Sequence, residues 1–222
     1  SEFGNASSVL VGDFLYTRAF QLMVQLDNIE ILRHMADTTN TIAEGEVLQL
    51  TRAGNADTTE QDYIDIITRK TAVLFAAACY GAAVLSGADS TQAESLRRFG
   101  LHLGLAFQMI DDMLDYAGDA DTMGKNVGDD LREGKVTLPL IHILRTGTAD
   151  EQALVKRAIT ERSAAEMDAI SAAVRRCAAI DYTRERAREH HDLAVAALAG
   201  LSAGPALEAL QHLTRLSIDR DH

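Results

Sequence analysis

The sequence predicts an all-α protein, and three features support this prediction. Hydrophobic residues make up 47% of the 222 residues, while proline occurs only 2 times. Along most of the chain, apolar residues recur every three or four positions, which is the spacing of one helix face. Long alternating runs of β-branched residues, which would indicate strands, are missing from the sequence. A chain of this length can bury a large core, and we expect residues 1–222 to form a single domain.

The first half of the chain contains three predicted helices. Each has a polar residue that can cap its start, and glycine follows the second and third. They begin at Ser7 or Ser8, at Ile29, and after Thr58 or Thr59, and they end near Leu26, Arg52 and Gly87. In the third helix, one stripe places the Lys70 cation on an apolar face, although a lysine there usually extends to the surface. The members of this stripe are Tyr63, Ile67, Lys70 and Leu74.

The fourth predicted helix starts at Ser90 or Thr91 and carries the most informative segment. Its apolar stripe continues into polar and acidic residues, in the order Leu101, Leu105, Gln108, Asp112 and Asp115, with Asp111 beside it. Carboxylates near a helix C-terminus repel one another and oppose the macrodipole, which costs about 0.3–1 kcal/mol for each. A divalent cation such as Mg²⁺ would offset both penalties, so the pattern favours a metal site that also binds phosphates. A solvated acidic helix end is the alternative.

A glycine-rich loop follows the acidic segment. It contains Gly118, Gly124, Gly128 and Gly134, together with Lys125 and Lys135. Glycine lets backbone N–H groups approach an oxyanion closely, and lysine supplies a point charge for phosphate. Each pattern alone is weak. Carboxylates followed directly by such a loop favour a diphosphate–Mg²⁺ site beneath a lid.

The last part of the chain is predicted to be scaffold. Five amphipathic helices are expected there, at Leu140–Arg145 (after a start at Thr137–Pro139), Asp150–Glu161, Ala164–Cys177, Ile180–Gly200 and Ala206–Ile218. Leu193, Ala197 and Leu201, in or just after the fourth of these, are predicted to pack inward. His190 and His191 are adjacent and lack the spacing of a helical metal pair, so both are predicted at the surface.

Charge and composition restrict the classes of partner. The net charge of −12 disfavours nucleic acid as a partner. Cys79 and Cys177 lie in apolar helical contexts, which favours core packing over a disulfide. The sequence shows no signal peptide and no run of about 18 apolar residues. We therefore expect no transmembrane segment and a cytoplasmic location.

The segment from Phe107 to Leu140 resembles the trans-isoprenyl diphosphate synthases. The resemblance is carried by Phe-Gln-x-x-Asp-Asp-x-x-Asp-Tyr from Phe107, by Gly-Lys-Asn-Val-Gly-Asp-Asp-Leu from Gly124, and by Glu-Gly-Lys-Val-Thr-Leu-Pro-Leu from Glu133. Further segments from Gly12 and from Ile42 resemble the long-chain bacterial members, above all those that make octaprenyl diphosphate. The similarity extends over essentially all 222 residues.

This resemblance implies the isoprenoid synthase fold, a helical bundle with a central substrate cavity. The implied reaction is Mg²⁺-dependent head-to-tail prenyl transfer. An allylic diphosphate, such as farnesyl diphosphate, loses its diphosphate, and the alkene of isopentenyl diphosphate attacks the resulting carbocation. The product would be a long-chain all-trans polyprenyl diphosphate for quinone side chains. The resemblance also implies a homodimer.

Site residues follow from the same resemblance. The residues implied to hold Mg²⁺ are Asp111, Asp112 and Asp115, with Gln108 orienting beside them and Asp130 acting on metal-bound water. Those implied to bind diphosphate are Lys70, Lys125 and Lys135. Lys70 and Thr71 match the family pair in which the lysine holds the allylic diphosphate and the threonine faces the forming cation. Glu46 and Gln49 match a segment that borders the allylic cavity.

The chain departs from the family in one respect. Family members have two aspartate-rich motifs that face each other, and this sequence contains the second. The first, with the arginines that bind isopentenyl diphosphate, lies upstream in relatives. We therefore expect the chain to correspond to the C-terminal two-thirds of the family domain and not to elongate prenyl diphosphates alone. A non-catalytic or regulatory subunit of a heteromeric synthase is the alternative. A terpene cyclase is disfavoured by the Lys70–Thr71 pair and the segment from Gly124.

Overall fold

α-Helices form the regular structure of residues 4–117 and 128–219, which are the residues that the computed structural model describes. Their order is α1 (Gly4–Gln25), α2 (Ile29–Arg52), α3 (Glu60–Ile67), a π turn (Thr68–Ala72), α4 (Val73–Leu85), α5 (Ser90–Ala117), α6 (Asp129–Arg132), α7 (Leu138–Thr146), α8 (Ala149–Glu161), α9 (Met167–Arg176), α10 (Ala179–Ala197) and α11 (Pro205–Ile218). No strand occurs within these two ranges. The prediction of an all-α protein is confirmed.

The helix boundaries follow the capping residues in the sequence. α2 has the predicted limits, because the Asn28 side chain accepts hydrogen bonds from two backbone N–H groups of the first turn. α3 starts after Thr59, one of the two predicted positions, and Thr59 forms a capping box with Asp62. α1 begins at Gly4, a few residues before the predicted start.

α5 is the central helix, with α4 and α10 packed along it. Two of its glycines allow the π turn and α4 to approach closely. A Cβ atom on Gly104 would lie 2.7 Å from the Cα atom of Ala72, and one on Gly100 would lie even closer to the carbonyl oxygen of Phe75. The close approach brings the acidic half of α5 against the helix that carries Lys70.

The main core lies beneath the acidic end of α5. Met109, Ile110 and Met113 are almost fully buried and pack with apolar residues of α7, α8 and α9. Burying each such side chain contributes about 1.5–3 kcal/mol, which fixes this part of α5 in place. A smaller cluster, centred on Phe99 and Leu198, joins the first half of α5 to α10. Cys79 and Cys177 are unpaired thiols that pack against the two clusters, as predicted.

The inner face of α10 differs in part from the predicted one. Ala197 is buried and Leu201 packs against the smaller cluster, as expected. The prediction for Leu193 is wrong, because this side chain is 45% exposed. Ala194 occupies the inner face instead, and its small side chain lets α10 lie close to α5.

The two adjacent histidines of α10 are partly buried, so their predicted surface location is also wrong. The His190 ring stacks on His102 of α5, with ring centroids 5.3 Å apart. The Nδ1 atoms of these two residues are 3.1 Å apart. The spacing of adjacent histidines carried no information about packing between helices.

The π turn changes which side chains face inward between α3 and α4. A π turn holds about one residue more than an α-helical turn. Lys70 and Thr71, which lie within it, both face the cavity described below. Beyond the turn, Ala76 is buried while Leu74 is 46% exposed. The predicted stripe is therefore correct as far as Lys70 and wrong at Leu74.

One helical stretch among the described residues, Glu60–Leu85, is long and apolar enough to cross a membrane by length and composition alone. The core helix of a soluble protein meets the same criteria. In this chain 39% of the relevant window is buried inside the protein. The stretch also carries Arg69 and Lys70, which form ion pairs with Glu44 and Glu46 of α2. Its packing against α2 and α5 places it within the helical bundle.

α1 differs from the other long helices because none of its side chains is buried. Its contacts with the rest of the described chain are made mainly to α2. Large apolar side chains, including Phe14 at 65% exposure, lie open on its surface. A single copy of the described chain therefore leaves the apolar surface of α1 uncovered.

Candidate active site

A cavity of about 220 Å³ lies between α2, the α3–π turn segment, α5 and residues 130–137. The charged residues that line it are Asp111, Asp112, Asp130, Arg52, Lys70 and Lys135. The polar residues at its wall are Gln49, Thr58, Tyr63, Thr71, Gln108 and Thr137. Three carboxylates and three cations thus face one enclosed space, which suits a ligand that carries both a metal ion and negatively charged oxygen atoms.

Asp112 is the buried carboxylate of the cavity, with 5% of its surface exposed. Its Oδ2 accepts a hydrogen bond of 2.7 Å from the Tyr63 hydroxyl, and its Oδ1 accepts one of 2.8 Å from Gln108 Nε2. Burial, followed by the negative charge of Asp130, raises the pKa of Asp112 to about 7. Burial and then the charge of Asp112 also raise the pKa of the Tyr63 phenol well above its ordinary value.

Asp111 is held less tightly than its neighbour. It is partly buried, and its Oδ2 lies 3.4 Å from Gln108 Nε2. Gln108 is itself fixed from the other side, because Thr71 Oγ1 donates a hydrogen bond of 2.9 Å to Gln108 Oε1. The amide of Gln108 therefore connects the π turn to the carboxylates of α5. Asp111 keeps oxygen atoms available on the cavity side.

Asp115, the third predicted metal ligand, does not line the cavity. Its Oδ2 accepts a hydrogen bond of 3.3 Å from the backbone N–H of Asp130. Burial, and then the charge of Asp130, raises the pKa of Asp115 to about 6. In addition, the Gly128 N–H donates to the Asp115 carbonyl at 3.3 Å. Asp115 thus holds the start of α6, where the described chain resumes after residue 127.

Lys135 faces the cavity but is already paired. Its Nζ lies 2.7 Å from Asp130 Oδ1 and 2.8 Å from Glu133 Oε2. Burial alone would lower the pKa of Lys135, but its hydrogen bonds to these two carboxylates outweigh burial and raise the pKa well above its ordinary value. The segment is fixed to the end of α2, because the Gly54 N–H donates to the Gly134 carbonyl at 2.9 Å. Lys135 therefore positions Asp130 while keeping a full positive charge at the cavity.

Lys70 is placed by contacts between the π turn and α2. Its Nζ donates to Gln49 Oε1 at 2.7 Å and lies 3.1 Å from Glu46 Oε1. Gly45 permits the contact, because a Cβ atom on this residue would lie 2.8 Å from the Lys70 backbone nitrogen. The lysine keeps about a third of its side chain exposed, at 30%. The predicted cation therefore points into the cavity and is held there by α2.

The donor set of the cavity fits Mg²⁺ bound together with a phosphate ligand. Within residues 4–117 and 128–219, no group of three His, Cys, Asp or Glu side chains is arranged to enclose an ion alone. Mg²⁺ is commonly bound by one or two carboxylates, with substrate phosphates and water completing the octahedron. The raised pKa of Asp112 reflects burial and negative charge that a cation would offset. Asp111 and Asp112 are the carboxylates of α5 placed to hold such an ion.

Most of the residues predicted from sequence come together at this cavity. Those that line it are Gln49, Lys70, Thr71, Gln108, Asp111, Asp112, Asp130 and Lys135. Lys125 and the glycines at 118 and 124 lie outside the described residues. Arg52 and Thr137 also line the cavity, although neither was predicted there, and Tyr63 was predicted only as a member of an apolar stripe. Tyr63 could have been predicted at the cavity, because it lies on the same stripe as Lys70.

Comparisons with known proteins agree with the arrangement of the site. A family model described as polyprenyl synthetase matches residues 1–177. The octaprenyl diphosphate synthase of Escherichia coli (strain K12) is 45% identical over 220 residues, covering 99% of this chain and 68% of that enzyme. The all-trans-nonaprenyl-diphosphate synthase (geranyl-diphosphate specific) of Rhodobacter capsulatus is 47% identical over 218 residues, covering 98% of this chain and 67% of the relative.

A solved structure is also similar over almost the whole chain. It is a polyprenyl synthase from Caulobacter crescentus CB15, complexed with calcium and isoprenyl diphosphate. The TM-score is 0.93 at 44% identity, and the match covers 99% of this chain and 68% of that one. The expected isoprenoid synthase fold is confirmed.

Proposed function

The chain belongs to the polyprenyl synthetase family, and on this premise we propose that it joins isopentenyl diphosphate to an allylic diphosphate with the help of Mg²⁺. It is a prenyltransferase of the long-chain octaprenyl and nonaprenyl type. Farnesyl diphosphate serves as the allylic substrate. The product is a long-chain all-trans polyprenyl diphosphate that supplies quinone side chains.

The observation that carries this proposal is the meeting of Lys70 with Asp111 and Asp112 in one cavity. The reaction breaks the C–O bond of the allylic diphosphate, and the diphosphate leaves with the electron pair. The alkene of isopentenyl diphosphate then forms a new C–C bond to the cation, and loss of a proton restores a double bond. Charge that develops on the leaving diphosphate needs preorganised positive groups nearby.

The residues of the cavity have distinct roles in this reaction. Lys70, held by Gln49 and Glu46, donates hydrogen bonds to the leaving diphosphate. Asp111 and Asp112 would hold Mg²⁺, which supplies further positive charge to the diphosphate when bound. The Thr71 hydroxyl donates a hydrogen bond to Gln108 Oε1, so the lone pairs of the hydroxyl oxygen remain available to the allylic cation.

The exposed apolar surface of α1 supports a homodimer. A single copy leaves large side chains of this helix uncovered, including Phe14. Monomeric proteins rarely expose apolar patches larger than about 300–600 Å². A second copy of the chain packed on α1 would cover this surface.

The experiment that tests the proposed reaction measures incorporation of labelled isopentenyl diphosphate onto farnesyl diphosphate with Mg²⁺. It compares residues 1–222 alone with the product of the full reading frame that encodes them. We expect a labelled long-chain product from the full reading frame and none from residues 1–222 alone. Asp112→Ala should abolish the product, whereas Asp192→Ala, an exposed aspartate of α10, should preserve it.

Two outcomes would contradict the proposal in different ways. If the full reading frame gave no prenyl product, a non-catalytic subunit of a heteromeric synthase would be favoured instead. If residues 1–222 alone made long-chain product, and Asp112→Ala abolished it, the expectation that catalysis requires a further aspartate-rich motif would be wrong.

A further inference from the structure

Tyr63 makes a contact with Asp112 that the roles given above do not use. Tyr63 is 3% exposed and packs in the main core. Its hydroxyl donates a hydrogen bond of 2.7 Å to Asp112 Oδ2 at the cavity wall. The two residues are far apart in sequence, on α3 and α5. Short O–H···O bonds to an ionised carboxylate are among the stronger hydrogen bonds in proteins.

The backbone that carries Tyr63 is anchored independently of the cavity. The Thr59–Asp62 capping box fixes the first turn of α3. Glu60, in the same turn, accepts a hydrogen bond of 2.6 Å from the Tyr182 hydroxyl, and it pairs with Arg186 at 3.0 Å. The backbone of Tyr63 is therefore held in place by several contacts. A hydroxyl that orients the neighbouring Asp112 carboxylate needs such a fixed backbone.

Tyr63 and Gln108 together occupy both carboxylate oxygens of Asp112. Gln108 Nε2 donates to Oδ1 at 2.8 Å and Tyr63 donates to Oδ2 at 2.7 Å. With a donor on each oxygen, the carboxylate cannot rotate about its terminal bond without losing a hydrogen bond. Gln108 also approaches Asp111, at 3.4 Å, so it is shared between the two acids. The Tyr63 hydroxyl donates its hydrogen bond to Asp112.

We infer that Tyr63 is a positioning residue for the metal–diphosphate site, and that its hydroxyl fixes the orientation in which Asp112 meets the ion. This inference rests on the proposed function, because it concerns the same site. Partners that orient metal ligands from outside the coordination sphere typically change metal affinity by about 10- to 100-fold when they are removed. A purely structural tyrosine would need only its ring in the core, and phenylalanine would replace it without such an effect.

The test uses Mn²⁺ and inorganic pyrophosphate as probes with the whole chain of residues 1–222. The affinity for Mn²⁺ in the presence of pyrophosphate is measured by electron paramagnetic resonance and by calorimetry. Tyr63→Phe, which removes only the hydroxyl, should weaken it about 10- to 100-fold. Tyr182→Phe is the matched control, because it removes a hydroxyl bonded to a carboxylate away from the cavity, while the Glu60–Arg186 ion pair still anchors the start of α3. Its Mn²⁺ affinity should equal that of the parent.

A double-mutant cycle separates action through Asp112 from a general loosening of α3. In an Asp112→Asn background, Tyr63→Phe should cause little further loss of Mn²⁺ affinity. Unchanged affinity in the Tyr63→Phe single variant overturns the inference, and so does an equal loss in Tyr182→Phe. Additive losses in the cycle overturn it as well. A parent chain that binds no Mn²⁺ with pyrophosphate would overturn the proposed function first, and the role of Tyr63 with it.

A measurement on the parent keeps the inference testable if Tyr63→Phe does not fold. The chain has 5 tyrosines, so labelling their Cζ atoms with ¹³C gives few signals. The signal that Asp112→Asn perturbs is assigned to Tyr63. Adding Mg²⁺ with pyrophosphate should shift this signal and leave that of Tyr182 in place. A Tyr63 signal that does not move would overturn the inference.

Discussion

Gly45 of α2 lies directly against the backbone nitrogen of Lys70, so closely that a Cβ atom on the glycine would be 2.8 Å from that nitrogen. The same Cβ atom would be 2.8 Å from the Cβ atom of Arg69. Backbone cannot yield in the way that the end of a flexible side chain can. The position of the Lys70 ammonium group in the cavity therefore depends on a residue with no side chain.

Gly45→Ala is expected to push the π turn away from α2. Overpacking of this kind costs about 1–3 kcal/mol of folding free energy, and it should weaken pyrophosphate binding because Lys70 moves. Chemical denaturation and calorimetric titration measure the two effects. Gly12→Ala is the control, because nothing lies within 4 Å of a Cβ atom on this residue of α1. It should raise stability by up to about 1 kcal/mol. Equal behaviour of the two variants would contradict the packing argument.

Mg²⁺ and pyrophosphate are expected to stabilise the chain together far more than either does alone. The carboxylates of α5 supply part of a coordination sphere, and the phosphate oxygens supply more of it. At about 100 times its dissociation constant, a ligand adds about 2.7 kcal/mol to the folded state. Thermal melts should show this synergy in the parent and in Asp192→Ala. It should be lost in the Asp111→Ala/Asp112→Ala double variant, and a retained response there would refute the assignment of these carboxylates.

Lys70 and Lys135 are expected to differ in their importance for diphosphate binding. Lys70 has one carboxylate partner, Glu46, whereas Lys135 pairs with both Asp130 and Glu133. Loss of a charged hydrogen bond costs about 1.5–3 kcal/mol, so Lys70→Met should weaken pyrophosphate binding about 10- to 100-fold. Lys135→Met should weaken binding less but lower the melting temperature more, because it leaves the carboxylates of Asp130 and Glu133 unpaired. The reverse order in calorimetric titration would contradict this ranking.

The stacked pair of His102 and His190 is expected to make folding sensitive to mild acid. Burial, followed by the neighbouring His102 and Arg186, lowers the pKa of His190 to about 4. Burial and Arg98 also lower the pKa of His102. Because the unfolded chain binds this proton more tightly, with an ordinary pKa of about 6.5, the contribution of His190 to stability is complete above that value. It is lost as the pH falls from about 6.5 towards 4.

Denaturant unfolding across this pH range checks the prediction with His190→Gln as the comparison. The parent should lose more stability on acidification than the variant does. Parallel pH profiles for the two proteins would show that His190 keeps an ordinary pKa when folded.

The exposed apolar surface of α1 is expected to hold two copies together. Sedimentation at micromolar concentration should show a dimer, and Phe14→Glu should shift it towards monomer by placing a charge on that surface. Leu213→Glu provides a control, because Leu213 on α11 is exposed to a similar degree, at 50% against 65% for Phe14. A soluble monomer for the parent would count against the dimer.

Local sequence patterns predicted the helices well, because capping residues act within one turn. Asn28 and the Thr59–Asp62 pair determine helix starts in the sequence and in the structure alike. The carboxylates of α5 could also be recognised as candidate metal ligands. The repulsion between them and the unfavourable macrodipole act within one helix and can be read from the sequence. The role of Asp115 could not be predicted in the same way. Its contact with the backbone of Asp130 depends on how the chain returns after residue 127.

The features that were missed all depend on contacts between distant parts of the chain. Tyr63 and Asp112 are 49 residues apart, and His102 and His190 are 88 residues apart. Helical periodicity places a residue on a face but does not say which element will cover that face. The exposure of Leu74 has the same origin, because it follows from a turn that departs from α-helical spacing.

The π turn has a consequence for the lengths that this segment tolerates. Its wider turn carries the extra residue that brings Lys70 and Thr71 to the same wall. Deleting one residue between 68 and 72 would remove the extra residue and leave a regular α-helical turn in place of the π turn. Lys70 and Thr71 would then no longer both face the cavity. A deletion in the connection between Leu85 and Ser90 would leave the π turn intact, so a change in length should be tolerated better there than between Tyr63 and Phe75.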